Sequence, residues 1–161
     1  MPNLIEIKAL FLVIVTWVLR LALAIVMLLA AIAKISDLAA FQKALQEAQM
    51  FSDLAARMLC YLIPSLELYF SVALLISKFV IEVPRAVLAL FGLFFIYNLI
   101  GEKINSGGSG QACGCFGAVI EAELPISPLI RSGVLFAASG VLVILNLWTA
   151  RSLAKKNRLV A

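Results

Sequence analysis

The chain has 161 residues, of which 64% are hydrophobic and only 14% charged, with a formal net charge of +4. A soluble domain carries about 45–50% apolar and about 25% charged residues. The mean hydropathy of +1.10 therefore excludes a water-exposed globule and indicates a single integral membrane domain over residues 1–161.

The first hydrophobic run covers about 9–33. It exceeds the roughly 20 residues that cross a bilayer core of about 30 Å. Lys8 before the run and Ala31-Ile32-Ala33 at its end imitate a signal peptide. An h-region is about 7–15 residues long, and this run is longer and contains Arg20, so it reads as a retained span. Leu38, Phe41 and Leu45 then fall at helical spacing among polar residues, with Ser36 or Asp37 as the cap. That pattern predicts a short amphipathic helix at the membrane interface. Further spans are expected over about 54–77, with Pro64 inside, and over 83–101 and 128–150. The fold class is an all-α bundle of four transmembrane helices.

Four spans put both termini on one side. Lys8, Lys78, Arg85, Arg151, Lys155, Lys156 and Arg158 share that side, against Lys34, Lys43, Arg57, Lys103 and Arg131 on the other. The excess and the basic tail predict cytoplasmic termini. The polar loop 102–127 then faces outward, where disulfides persist.

Arg20 and Glu67 each lie roughly 17 Å from the cytoplasmic boundary by helical rise, on spans that run antiparallel. An unpaired charge there costs about 2.5–3.5 kcal/mol, so an Arg20–Glu67 ion pair is expected. Arg20, Ala24, Met27, Ala31 and Lys34 share one face of the first span, and Cys60, Pro64 and Glu67 one face of the second. Gly133, Ala137 and Gly140 give the fourth span a small-residue stripe suited to close packing.

The sharpest chemical signal is Cys113-Gly114-Cys115 in the outward loop. The glycine-rich Ser106–Gly110 before it is not a phosphate loop, since no Gly-Lys-Ser/Thr follows. Residues i and i+2 can meet the Cα separation of a disulfide, about 4.4–6.8 Å, but in a small, strained ring. Strain and exposure make such a bond labile. Lys103 or Arg131 supplies positive charge to favour a thiolate. A static disulfide and a metal site are the rival readings, and two cysteines without histidine make a poor four-ligand metal set. Three cysteines cannot all pair within one chain. Cys60 lies roughly 27 Å above the cytoplasmic side, level with the loop, so the three are expected to converge there. The alternative for Cys60 is a small buried hydrophobe.

Several pieces together carry a family likeness. They are an arginine in span one, Ala33-Lys34-Ile35-Ser36-Asp37 with Phe41, Pro64-Ser65-Leu66-Glu67-Leu68, Cys113-Gly114-Cys115-Phe116-Gly117, and Arg131 opening span four. This series resembles the methylamine utilisation protein MauE family, within the wider DoxX-like membrane proteins. Ala30 and Ala31 stand where glycine is usual in that group.

The resemblance implies a multi-pass protein of the bacterial inner membrane that serves maturation of the disulfide-rich small subunit of methylamine dehydrogenase. It also implies work beside a thioredoxin-like periplasmic protein, MauD. By analogy with quinone-linked enzymes of the vitamin K epoxide reductase type, Cys113 and Cys115 would exchange with that partner. Electrons would pass through Cys60 to a quinone or another membrane carrier, in a pocket shaped by Arg20 and Glu67, with Lys34 as a further supporting residue. The alternative is a non-enzymatic maturation scaffold with Cys113–Cys115 as a staple. Nucleic acid is not an expected partner, for no aromatic-interleaved basic patch is present.

Overall fold

A computed structural model describes residues 4–47, 51–76, 82–104 and 127–160. The described elements are helices: α1 (Leu4–Ser36), α2 (Leu38–Glu47), α3 (Asp53–Ile76), α4 (Glu82–Ile104) and α5 (Pro128–Val160). Four of them contain stretches long and apolar enough to cross a membrane: Leu10–Ser36, Asp53–Ile76, Glu82–Ile100 and Pro128–Ala150. Helices are the economical answer to a solvent without hydrogen bonds, because each satisfies its own backbone.

Short polar residues set the boundaries. The Asp37 carboxylate accepts from the Ala40 amide at 2.9 Å and caps α2. The Ser52 hydroxyl accepts from Ala55 N–H at the start of α3, and Ser127 accepts from Ile130 N–H ahead of Pro128 in α5. Proline in that first turn loses no helical bond, since its N–H would be unpaired anyway.

The membrane-facing and inward surfaces of α1 separate cleanly. Phe11, Ile14, Val18, Leu21 and Ile25 are exposed, while Arg20, Ala24, Met27, Ala31 and Lys34 are buried as their spacing predicts. The buried face of α3 carries Cys60, Pro64 and Glu67, continued by Ser71 and Leu74. The central core joins Leu23, Ala24 and Met27 of α1 to Leu74, to Val87, Leu90 and Phe91 of α4, and to Leu142 of α5. A second cluster packs Phe41 and Leu45 of α2 against Ala56 and Cys60 of α3.

Two of the three residues in the small-residue stripe of α5 pack closely, as their spacing implied. Ser132, Ser139, Leu142 and Asn146 are buried among the described side chains of α5, and Ala137 is exposed. Gly133 and Gly140 lie on the flank toward α4. A Cβ on Gly133 would stand 3.3 Å from the Phe95 ring, and one on Gly140 3.9 Å from Leu88. These contacts run α4 and α5 antiparallel. The stacked rings of Phe51 and Tyr97, 5.8 Å apart, place the C-terminal half of α4 beside the start of α3. The C-terminal end of α1, the N-terminal end of α3, the C-terminal end of α4 and the N-terminal end of α5 thus share one end of the bundle.

Candidate functional site

That shared end holds the principal buried ion pair. Lys34 Nζ donates to both Glu67 oxygens, at 2.6 and 2.9 Å, and the side chains are 0% and 3% exposed. The ammonium also lies 5.7 Å from the ring centroids of Phe41 and Phe94, within the range of a cation–π contact. One lysine therefore ties together α1, α2, α3 and α4.

The expected Arg20–Glu67 pair does not form. Glu67 takes Lys34 instead, and Arg20 Nη2 donates to Asn146 Oδ1 of α5 at 3.0 Å. The physical reason lies in side-chain direction. The Ser71 hydroxyl donates to the Ala24 carbonyl at 2.9 Å, which sets the register of α1 against α3 and brings Glu67 level with about Leu28. Helical side chains lean toward their own N-terminus. In an antiparallel pair Glu67 leans toward the shared end and Arg20 leans away from it. Their Cα positions are already roughly 12 Å apart along the axis. Lys34 stands roughly 9 Å to the other side but leans back toward Glu67, and its long stem closes the gap.

Arg20 forms a second clasp further along α1. Its guanidinium lies 5.8 Å from the Trp17 ring centroid, and the Asn146 amide that receives it also donates to the Leu142 carbonyl at 2.9 Å. Asn146 and Phe94 were not singled out from the sequence. A lone amide in an apolar span is a usable signal, because lipid offers it no partner. Phe94 carries no comparable signal among its aromatic neighbours.

Cys60 is 1% exposed, packed among Phe41, Leu45 and Ala56. Its thiol is 3.6 Å from the Leu38 carbonyl, to which it donates. The start of α5 brings Arg131 to the same end of the bundle. Cys113, Gly114, Cys115, Phe116 and Gly117 lie outside the described residues, as does the expected approach of Cys60 to the loop cysteines. The end of α4 and the start of α5 both lie at the end of the bundle occupied by Cys60 and Lys34–Glu67.

Four apolar helices of spanning length around buried polar clasps define a multi-pass helical membrane protein. The family model described as methylamine utilisation protein MauE matches residues 12–145, from α1 well into α5, and the chain belongs to that family. It is 28% identical over 123 residues to the methylamine utilization protein MauE of Paracoccus denitrificans, covering 76% of this chain and 65% of that protein. The match thus spans just under two-thirds of the relative's length. No solved structure matches the chain.

Proposed function

We propose that this protein is a thiol–disulfide exchange component of the bacterial inner membrane, acting in the maturation of exported disulfide-containing proteins in methylamine utilisation. The observation that supports this reading is where α4 ends and α5 begins, on either side of the two-cysteine segment. Both points lie at the bundle end where Cys60 is buried. Membership of the MauE family supports the physiological setting. The methylamine dehydrogenase small subunit and a thioredoxin-like, MauD-type protein are the proposed clients.

In this reading the termini are cytoplasmic, α2 lies at the outer interface, and residues 1–161 form one domain. A partner thiolate attacks the Cys113–Cys115 disulfide and forms a mixed disulfide. The second partner thiol then releases it. The partner leaves oxidised, and Cys113 and Cys115 hold the two electrons and two protons as thiols. Gly114 gives the small ring its backbone freedom, Phe116 and Gly117 complete the turn, and Arg131 favours the thiolate form. Cys60 is too buried for a partner protein to reach, so its proposed role is internal relay alone.

Quinone is the proposed class of final acceptor. Both Glu67 oxygens are taken by Lys34, and aromatic rings cover the ammonium. These residues do not offer a free polar set for a quinone carbonyl.

The burial of Cys60 and its bond to Leu38 favour the second reading, a maturation scaffold in which the cysteines are structural. Thiol trapping in cells separates the two. Alkylation with and without the thioredoxin-like partner should reveal a loop that shifts between reduced and oxidised forms. A loop that stays oxidised, in a protein that still works as Cys113→Ser plus Cys115→Ser, leaves only the scaffold.

A further inference from the structure

A groove of about 460 Å³ runs along the outer surface where α4 meets α5. Arg85, Leu88, Gly92, Leu93 and Ile96 line it from α4, and Phe136 from α5. Ala89 lies on the same wall. At Gly92 the Phe136 ring closes against α4: a Cβ there would stand 3.2 Å from it. From Arg85 to Ile96 the groove extends roughly 16 Å along the helix, about half of a 30 Å hydrocarbon core. It therefore spans one leaflet. A second transmembrane helix would need a seam running the full core.

At one end of the groove stands Arg85, paired with Glu82 three residues earlier on α4. Arg85 Nη1 and Glu82 Oε1 are 3.4 Å apart, with side chains 52% and 74% exposed. Such an exposed pair contributes only about 0–1 kcal/mol, so an incoming ligand can separate it at little cost. We propose that this groove binds a zwitterionic phospholipid with a primary ammonium, its acyl chain along α4, its phosphate on Arg85 and its ammonium on Glu82. A purely anionic headgroup would set its charge against the Glu82 carboxylate. A choline headgroup carries the positive charge but has no N–H to donate. This binding site stands apart from the redox reading.

The test uses the purified full chain, stripped of lipid in detergent and titrated with phosphatidylethanolamine, phosphatidylcholine or phosphatidylglycerol of identical chains. Bound lipid is read by native mass spectrometry. Phosphatidylethanolamine should be retained one to one and ahead of the other two. Arg85→Gln should weaken it about tenfold, the scale of one charged hydrogen bond. Glu82→Gln should erase its advantage over phosphatidylcholine. Ala89→Trp, at an exposed position, should displace all three, with thermal unfolding checking that each variant folds. Stronger retention of phosphatidylglycerol overturns the proposal. So does equal retention by the native protein and Arg85→Gln, which would mean lipid acting as solvent only. A dimer lost on Ala89→Trp would overturn it too, by assigning the groove to a second copy.

Discussion

Replacing Lys34 by leucine should be among the most damaging single changes in this protein, and more damaging than replacing its partner. Lys34→Leu removes both bonds to Glu67, at 2.6 and 2.9 Å, and leaves a carboxylate that is 3% exposed. Breaking a buried pair from one side costs about 3–5 kcal/mol. Glu67 cannot escape, since it lies roughly 14 Å from even the nearer end of α3. Glu67→Leu should cost less, about 2 kcal/mol, because Lys34 sits near the end of α1 and can snorkel toward the interface. The double replacement should return to within about 1 kcal/mol of the native protein, as apolar substitution of whole buried pairs often does. The assay is reversible unfolding in mixed micelles, followed by the fluorescence of Trp17 and Trp148. A Lys34–Glu67 coupling below about 0.5 kcal/mol, or a larger coupling between Arg20 and Glu67, would refute the assignment.

Further outcomes follow from the geometry. Asn146→Leu removes the 3.0 Å acceptor of Arg20 inside the bundle and should cost about 1–3 kcal/mol in the same unfolding assay. Gly140→Ala should be neutral or stabilising by up to about 1 kcal/mol through helix propensity, since its added methyl would sit at an ordinary 3.9 Å from Leu88. Gly133→Ala should fall below Gly140→Ala by about 1 kcal/mol or more, because its methyl meets Phe95 at 3.3 Å and that ring is stacked on Phe136. Finally, a membrane-permeant maleimide should leave Cys60 unmodified in the native protein, given its 1% exposure, and label it after denaturation. Rapid labelling of the native protein, read by mass, would contradict that packing.

The faces of the helices were legible in the sequence because burial follows the 3.6-residue period. Arg20, Ala24, Met27, Ala31 and Lys34 turn inward together, as do Cys60, Pro64 and Glu67. Helical spacing likewise carried Phe41 and Leu45 of α2 into the core. What misled was depth. Measuring Cα heights from an assumed boundary set Arg20 opposite Glu67 and treated Lys34 as a boundary charge. In antiparallel helices a Cα height is a biased guide to where a long side chain ends. The two chains lean in opposite directions, and each charged head arrives a turn or more from its own Cα. With that lean included, Lys34 becomes the partner closest to hand. The same geometry explains the division of labour along α1. Lys34 fastens it to α3 at the loop-bearing end, with the rings of Phe41 and Phe94 around the ammonium, while Arg20 fastens it to α5 further along. Because two separate clasps hold α1, losing one should loosen its own end of the bundle first. If the loop cysteines depend on a fixed seat at their end, Lys34→Leu should disturb their redox state, and Asn146→Leu should lower stability while leaving that state unchanged.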